Sequence, residues 1–291
     1  MDDTILVTGS TGNVGSQVVK QLSSFNGKVR AAVQSKNRAQ DIKNTGAELV
    51  EMNFNNTETV NAVFKGVQKL FLLTPFVPNM VEISENLVEH ARKADVNHIV
   101  KQSAFGSEGQ VITMNRLHRE VEQIIESSGI NYTFLRPMSF MQNYLGLADS
   151  IRTQGTFSFP LGDSKTSLVD TRDIAAAAVK ALTKSDQHKN KAYNITGPAA
   201  ISNYEIAEII SNVADKKVTY VDVSVNDTRN VMKNAGMQEW GVDALMELFE
   251  FQKAGNASVV SPDVERVIGR KAISFTQFAT DYAQSFRTSY I

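Results

Sequence analysis

Short apolar runs alternate with longer amphipathic runs through the first half of the chain. The short runs have the length and β-branched content of strands, and the longer runs carry apolar residues at helical spacing. Strands are therefore predicted at 4–8, 28–34, 47–52, 69–74, 98–102 and 131–135, and helices at 13–24, 37–44, 57–65, 79–94 and 113–128. This alternation predicts an α/β fold, in which a parallel sheet is covered by helices on both faces.

The second half loses this alternation and is typical of a smaller, mostly helical cap domain. Ser202 and Glu205 have the spacing of a capping box and predict a helix that continues to Val213. A strand at 218–221 and helices at 227–235 and 242–252 are predicted after it. We expect the cap to cover the carboxyl ends of the strands, where ligands bind in open parallel sheets. The predicted domains are 1–155, with return contributions from about 168–197, and a substrate-binding cap over 156–291.

The segment between the first predicted strand and the first predicted helix contains three glycines at intervals of three. Gly9 would allow a sharp turn, Gly12 a close approach of the backbone to a pyrophosphate, and Gly15 close packing of helix against strand. Free N–H groups at the start of the helix would bind the anion. This order predicts a Rossmann-type, doubly wound sheet with a nucleotide site; a merely structural turn is the alternative. The predicted contacts are Gly9, Thr11, Gly12, Asn13, Val14 and Gly15.

The end of the second predicted strand indicates which dinucleotide would bind. Folds that bind NAD carry an acidic residue about twenty positions after the glycine turn, which holds the ribose hydroxyls. Here Gln34, Lys36 and Arg38 stand in that stretch and none is acidic. Because two cations would attract a 2′-phosphate, NADP(H) is the preferred cofactor, with NAD(H) as the alternative. A solvated polar turn is the structural explanation of the same residues.

Two further strand ends would border the cofactor. Asn53 and Phe54 follow the third predicted strand, where they would flank an adenine, and Thr74 and Pro75 end the fourth. A loop-capping asparagine and a strand-terminating proline would explain these residues without a ligand.

Composition and charge exclude several classes of protein. The 291 residues are 42% hydrophobic and 21% charged, contain no cysteine and carry a net charge of −1. Disulfides and thiolate catalysis are therefore excluded, and a broad nucleic-acid-binding surface is disfavoured. No apolar run approaches twenty residues, and no His, Asp or Glu cluster has the spacing of metal ligands. Since the chain enters its first strand directly, we expect no signal peptide. We therefore expect a cytoplasmic protein with neither a membrane span nor a metal.

Three later segments carry a resemblance to a known family. With the glycine turn, residues 86–100 (NLVEHARKADVNHIV), 127–137 (SSGINYTFLRP) and 169–175 (VDTRDIA) resemble the NmrA-like group of atypical short-chain dehydrogenase/reductases, up to about residue 282. Within that group the chain is most similar to bacterial NAD(P)H-dependent quinone, azo-dye and triphenylmethane-dye reductases. More distant members are sugar-nucleotide epimerases, plant isoflavone-type reductases and the dinucleotide-binding regulator NmrA. The resemblance implies fold and cofactor, and leaves the substrate open.

The resemblance also implies where a reaction site would lie. Extended members carry a tyrosine and a lysine four residues apart on a helix beside the nicotinamide, and a serine at the end of the fifth strand. Anchored on Glu122, these positions fall on Met114, His118 and Ser103. A thioether cannot donate a proton, so the usual tyrosine acid is missing. Ser103 and His118 are therefore candidate catalytic residues and nicotinamide contacts; a turn-capping serine and a surface histidine are the structural alternatives.

The missing tyrosine favours some reactions over others. Reducing a ketone produces an alkoxide about as basic as hydroxide, near the pKa of about 15.7 for water. Reducing a quinone produces a phenolate with a pKa of about 10. The difference amounts to about 7–8 kcal/mol of anion stability. An epimerase or carbonyl reductase therefore needs a positioned acid or base, whereas a quinone, azo or cationic-dye acceptor could take its proton from water.

The segment after the sixth predicted strand resembles a wall of the nicotinamide site. Its methionines and aromatic would suit a flat apolar substrate, although core packing would use the same side chains. The predicted cofactor contact is Pro137, and the predicted acceptor pocket is Phe76, Met138, Phe140, Met141 and Asn143. A second apolar set is expected in the core of the cap rather than in a pocket: Trp240, Met246, Phe249 and Phe251.

The remaining candidates are expected to be structural. His90 and His98 lie on a helix and a strand and are assigned no chemistry, and His188 lies in a polar run and is expected to be solvated. Asp173 is predicted to be the N-cap of a helix over 174–182.

Three functions are consistent with the sequence. The first is an NAD(P)H-dependent reductase that transfers hydride to a quinone-like or other conjugated acceptor. The second is a regulatory protein of NmrA type that senses NADP(H), in which cofactor occupancy changes the affinity for a protein partner. The third is a sugar-nucleotide epimerase or dehydratase, which Met114 disfavours. We expect a monomer or homodimer that binds a small molecule and no nucleic acid.

Overall fold

The structure, a computed structural model, describes residues 3–287. The described chain forms two compact units. The first contains residues 3–111, 115–137 and 171–194, and the second contains residues 112–114, 138–170 and 195–287. The N-terminal part of the first unit thus ends at residue 137, whereas the predicted nucleotide-binding domain continues to residue 155. How the two units divide cofactor and substrate binding stays a prediction.

The described chain contains the strands and helices of both units, and the two kinds of element alternate through the first unit. The strands are β1 Thr4–Val7, β2 Lys28–Val33, β3 Glu48–Glu51, β4 Lys69–Leu72, β5 His98–Gln102, β6 Asn131–Pro137, β7 Thr156–Phe159, β8 Lys165–Thr166, β9 Lys191–Ile195, β10 Ile201–Ser202 and β11 Thr219–Asp222. The helices are α1 Gly15–Gln21, α2 Thr57–Phe64, α3 Met80–Lys93, α4 Thr113–Ser127, α5 Ala148–Gln154, α6 Thr171–Thr183, α7 Ser185–His188, α8 Asn203–Ala214, α9 Val225–Asn234, α10 Glu239–Phe251, α11 Asp263–Ile268, α12 Phe275–Asp281 and α13 Ala283–Phe286.

The main sheet has the strand order β3-β2-β1-β4-β5-β6-β9. The pairs from β3 to β6 are all parallel. The chain builds outward from β1 to β3 and then crosses to β4 on the other side of β1, so the order reverses between β1 and β4. This is the topological switch point, where open α/β sheets bind their ligands. The predicted doubly wound α/β fold is confirmed.

Helices cover both faces of this sheet. On one face α2, α3 and α4 bury side chains against alternate residues of the strands, among them Leu6, Leu70, Leu72, Ile99 and Phe134. On the other face α6 packs against α1 and against β4, β5 and β6. The strand interiors are largely apolar on both sides because both sides are buried, although Lys69, His98 and Lys101 are buried polar residues among them.

The second unit is mostly helical and contains two small sheets. β7 pairs with β11 in parallel, and β8 pairs with β10 antiparallel. Its core is aromatic, with Tyr144 edge-on to Phe157 and Phe275 at ring-centroid distances of 5.6 and 5.2 Å. The predicted capping box is confirmed: Ser202 Oγ accepts from the Glu205 N–H, and the Glu205 carboxylate accepts from the Ser202 N–H.

Two local predictions were wrong. The segment predicted as a helix over 37–44 forms two separate 3-10 turns, Lys36–Arg38 and Gln40–Ile42, divided at Ala39 by backbone angles of −101° and 28°. Only Ala39 and Ile42 are buried there, and a spacing of three suits 3-10 geometry better than an α-helix. Asp173 is not an N-cap, because α6 begins at Thr171 and places Asp173 in its first turn.

Candidate dinucleotide site

The glycine turn lies at the carboxyl end of β1, at the switch point. Gly9 has a φ of 63°, and a Cβ at this position would lie 2.5 Å from Leu73 Cδ2. Thr8 fixes the turn from beneath, since its Oγ1 donates to the Leu73 carbonyl and accepts from the Leu73 N–H, both at 2.8 Å. The ends of β1 and β4 are thereby joined directly below the turn.

Gly12 and Gly15 are glycine for different reasons. A Cβ on Gly15 would lie 2.1 Å from the Gly9 carbonyl oxygen, so the start of α1 can pack on the turn only without a side chain. A Cβ on Gly12 would meet only the Gly9 oxygen, at 3.4 Å, which is ordinary contact. Thr11, Gly12 and Asn13 are exposed. The protein itself therefore leaves the space at Gly12 open, which fits the approach of a phosphate group.

The end of β2 presents the predicted phosphate-binding side chains to solvent. Gln34, Lys36 and Arg38 are all exposed. The sequence did not single out Glu51, which pairs with Val33 in the sheet and accepts a hydrogen bond from the Lys36 N–H at 3.2 Å. A carboxylate therefore lies beside the two cations, and it would oppose a second negative charge. The residues of this edge fit a 2′-phosphate at Lys36 and Arg38, with Glu51 weakening the preference.

The other predicted cofactor contacts also have structural roles. Asn53 Oδ1 accepts from the Asn55 N–H at 3.0 Å, and Phe54 packs against the core between the sheet and α2–α4. Thr74 Oγ1 accepts from Ser84 Oγ at 3.3 Å, and Pro75 is exposed. Their contact with an adenine or nicotinamide stays a prediction.

Ser103, at the end of β5, is buried within an ionic network. Its Oγ donates to Glu122 Oε1 at 2.6 Å, and both side chains are almost fully buried. Arg136 donates to both oxygens of Glu122, at 3.0 and 2.8 Å, and Arg119 donates to Oε2 at 3.0 Å. Burial raises the pKa of Glu122, and the bonds from Ser103 and Arg119 act in the opposite direction. Ser103 therefore has its proton engaged with Glu122.

His118 has a partner that the sequence did not reveal. Lys101 on β5 is 0% exposed, and its Nζ donates to the Gln102 carbonyl at 2.8 Å and lies 3.1 Å from His118 Nδ1. Burial lowers the pKa of Lys101 to about 7, and the charge of Glu122 acts in the opposite direction. Burial and the charge of Lys101 hold the pKa of His118 well below its usual range. The imidazole is therefore neutral at pH 7.

Two spacings in the sequence agree with this arrangement but do not by themselves predict it. Residues two apart on a strand face the same side, as Lys101 and Ser103 do, and residues four apart on a helix share a face, as His118 and Glu122 do. The two pairs meet between β5 and α4, with Lys101 beside His118 and Ser103 beside Glu122. Which strand face meets which helix face is known only from the structure.

Of the residues predicted for an acceptor pocket, Met138 and Met141 are buried, Phe76 and Phe140 are half-buried, and Asn143 is exposed. In the second unit, Met138 donates its N–H to the Ile195 carbonyl at 3.0 Å, and Met141 lies in the aromatic core. Phe140 forms a bridge to Val169, and Asn143 is exposed. In the first unit, Pro137 at the end of β6 is buried, and Phe76 is half-buried. Contact of these residues with cofactor or acceptor stays a prediction.

The remaining histidines are structural, as expected for two of the three. His90 Nδ1 bonds to the Asn86 carbonyl, and His98 Nε2 lies 3.0 Å from Thr133 Oγ1. The prediction for His188 was wrong: it is 7% exposed, and its Nδ1 lies 3.0 Å from the Tyr193 hydroxyl. Met246 and Phe249 lie in a core cluster of the second unit, as predicted.

Two classes of site are not found in the part of the chain that the structure describes. Residues 3–287 contain no group of three or more His, Asp or Glu side chains that could hold a metal ion. Over the same residues, no helix combines the length and apolar character needed to cross a bilayer.

A glycine turn of this geometry, at the switch point of a parallel sheet, defines a Rossmann-type protein. Comparison with known proteins makes the assignment specific: the chain belongs to the NmrA-like family, which matches it over residues 1–282.

Named relatives cover the whole length of the chain. It is 36% identical over 283 residues to an NAD(P)H azoreductase from Xenophilus azovorans, covering 97% of this chain and 99% of that protein. Among solved structures, it is similar to an NADPH-dependent quinone oxidoreductase from Escherichia coli complexed with NADPH, with a TM-score of 0.84, 25% identity and coverage of 95% and 99%. It is also similar to the triphenylmethane reductase of Citrobacter sp., with a TM-score of 0.84, 28% identity and coverage of 97% and 99%.

Proposed function

We propose that the protein is an NADPH-dependent reductase of quinone-like and other conjugated, electron-poor acceptors. The observation that carries this proposal is the combination of an intact phosphate-binding turn with Met114 at the position of the usual tyrosine acid. Acceptors whose reduced forms are weak bases need no such acid. The quinone oxidoreductase and the triphenylmethane reductase among the relatives support this class of acceptor, and the azoreductase extends it to an acceptor whose reduced anion is a stronger base and needs a proton from another group.

Residues of the first unit would hold the cofactor. The N–H groups of the glycine turn and the start of α1 would bind the pyrophosphate, and Lys36 and Arg38 would bind the 2′-phosphate. When bound, the reduced nicotinamide supplies the hydride. The chain supplies orientation and a hydrogen-bonding imidazole, His118, at the carboxyl edge of the sheet.

A panel of acceptors tests the proposed activity. We expect the purified protein to oxidise NADPH, followed at 340 nm, in the presence of quinones, azo dyes or cationic triphenylmethane dyes, and not in the presence of sugar nucleotides. Tight NADPH binding without turnover of any acceptor would contradict the proposal and favour an NADP(H)-sensing regulator.

Cofactor preference is expected to depend on the end of β2. Replacing both cations, Lys36→Ala with Arg38→Ala, should raise the Kd for NADPH by about 10–100-fold, because two charge-assisted contacts are lost. The Kd for NADH should change by less than about twofold. Fluorescence titration with both cofactors measures this difference.

Two further variants control that measurement. Lys43→Ala removes an exposed lysine from the same connection and should leave both Kd values unchanged. Glu51→Gln keeps an oxygen for the Lys36 N–H and removes the negative charge, so NADPH should bind several-fold more tightly. Equal effects of the double substitution on NADPH and NADH would refute the phosphate assignment.

A further inference from the structure

At the carboxyl end of β5, the buried side chains that face α4 are polar rather than apolar. Lys101 and Ser103 project from the strand toward His118 and Glu122, one helical turn apart on α4. A fully buried lysine is rare, because the charged form loses its hydration. Within the described residues no acidic side chain forms an ion pair with its Nζ, whose hydrogen-bond partners are the Gln102 carbonyl and His118 Nδ1. Holding a fold together does not require this arrangement.

The neighbouring groups are poor proton donors. The Ser103 hydroxyl donates its proton to Glu122. Glu122 itself accepts from Arg119 and Arg136, as a carboxylate does. His118 is half-buried, and its Nε2 has no hydrogen-bond partner among residues 3–287. Within this set, His118 Nε2 is therefore the group that can carry a proton and makes no hydrogen bond to residues 3–287.

We propose that Lys101 is a positioning residue that fixes His118 as an Nε2–H donor and supplies a proton to Nδ1 as Nε2 gives its own away. The proposal rests on the proposed reductase function. It assigns to a lysine and a histidine, acting in series, the task that a tyrosine performs elsewhere in the superfamily.

The contact between the two side chains accommodates both ends of this transfer. With Lys101 as an ammonium, Nζ–H donates to Nδ1, so the ring proton must reside on Nε2. With Lys101 as a neutral amine, Nζ accepts from Nδ1–H and Nε2 is bare. In passing from the first state to the second, Nε2 gives up its proton and a second proton moves from Nζ to Nδ1 across 3.1 Å.

The proton balance closes over one turnover. The acceptor gains a hydride, which carries two electrons, and its anion forms a bond to the Nε2 proton as the Nε2–H bond breaks. An Nζ–H bond of Lys101 breaks and an Nδ1–H bond forms, so no imidazolate is produced. Water then protonates Nε2, and Nδ1 returns its proton to Lys101. The net proton comes from solvent.

The electrostatic surroundings suit a transferable proton. Burial lowers the pKa of Lys101 to about 7, below the value of about 10 for a phenol, so transfer to a reduced quinone is downhill. The charged groups around the pair are Glu122 and Arg119 on α4, Arg136 on β6 and Glu108 in the turn 107–109, joined in one network of ion pairs. Glu122 keeps the pKa of Lys101 from falling further.

Acceptors that differ in proton demand provide the first test. A cationic triphenylmethane dye becomes neutral on gaining a hydride and needs no proton, whereas an azo group gains a hydride as a basic nitrogen anion and needs one. In Lys101→Met we expect turnover of the azo dye to fall by about 100-fold, as for loss of a general acid. Turnover of the cationic dye and the Kd for NADPH should stay within about twofold. Equal losses for both dyes, or no loss for either, would overturn the proposal.

The ring tautomer of His118 provides a second test that needs no turnover. The chain has four histidines, so the ¹⁵N signals of His118 can be assigned with His118→Asn. Below the pKa of Lys101, at about pH 6, where its ammonium form predominates, we expect the Nε2–H tautomer in the wild-type protein and in Lys101→Arg, and a mixture in Lys101→Met. Since arginine does not lose its proton, Lys101→Arg should keep the tautomer and still lose azo-dye turnover. An unchanged tautomer in Lys101→Met would refute the positioning role.

Lys69→Met is the matched control for removal of a buried lysine. Lys69 is 7% exposed on the adjacent strand β4, and its Nζ pairs with Asp3 at 2.7 Å rather than with a histidine. This variant should leave the dye ratio and the His118 tautomer unchanged, and thermal unfolding of each variant verifies that it folds. A wild-type protein that reduces no acceptor would refute the proposed function, while the tautomer comparison would still decide the role of Lys101.

Discussion

Gly12→Ala should weaken NADPH binding by at least about 100-fold, or about 3 kcal/mol, and leave the free energy of unfolding almost unchanged. Its backbone φ is not positive, and a Cβ there meets only the Gly9 oxygen at 3.4 Å, so the folded protein accommodates alanine. The methyl group would occupy the open space in which we place the pyrophosphate. Fluorescence titration with NADPH and urea denaturation of the apoprotein measure the two quantities.

Gly15→Ala is the matched contrast in the same turn. Its Cβ would lie 2.1 Å from the Gly9 oxygen, so α1 would have to move away from the turn. This variant should lose both stability and NADPH binding. If Gly12→Ala bound NADPH normally, the phosphate would not lie at this turn, whatever the result for Gly15→Ala.

Glu122→Ala should destabilise the first unit by about 3–5 kcal/mol, the cost of removing one partner from a buried ion pair. The Glu122 side chain is 0% exposed and the Arg136 side chain 11% exposed, so the arginine would keep its charge with little access to water. Ser103 would also lose its acceptor. Urea denaturation followed by circular dichroism gives the change in free energy.

Glu126→Ala controls for the outer part of the same network. Glu126 pairs with Arg119 at 2.9 Å, and its side chain is 32% exposed. Such a surface pair contributes about 1 kcal/mol or less. A comparable loss of stability in Glu126→Ala and Glu122→Ala would contradict the central position that we assign to Glu122.

Much of the fold could be predicted because both local signals and long-range rules agree in this chain. The apolar strands and the glycine turn are strong local signals, and parallel α/β topology leaves few arrangements for them. The helix predicted after β2 was wrong because the two buried residues of that segment, Ala39 and Ile42, suit a 3-10 turn as well as a helix. The prediction that His188 is solvated was wrong because tertiary contacts bury its side chain, although it lies in a polar stretch of sequence.

The interior of the candidate site could not be predicted from spacing alone. Ser103 and His118 were found through family resemblance, but their partners depend on which strand face meets which helix face. Lys101 reads in sequence as an ordinary cation, and only the packing of β5 on α4 shows that it is fully buried. Glu51 was overlooked because it lies on the neighbouring strand β3, from which its carboxylate accepts a hydrogen bond from the Lys36 N–H.

The Thr8 hydroxyl has a consequence for how a ligand could enter. It donates to one backbone group of Leu73 and accepts from another, and so acts as one more rung of the ladder between β1 and β4. The crevice at a switch point arises because the connections on its two sides run in opposite directions. This extra rung opposes widening of the crevice by separation of the two strands. We therefore expect the base of the crevice to keep its width when a ligand enters or leaves.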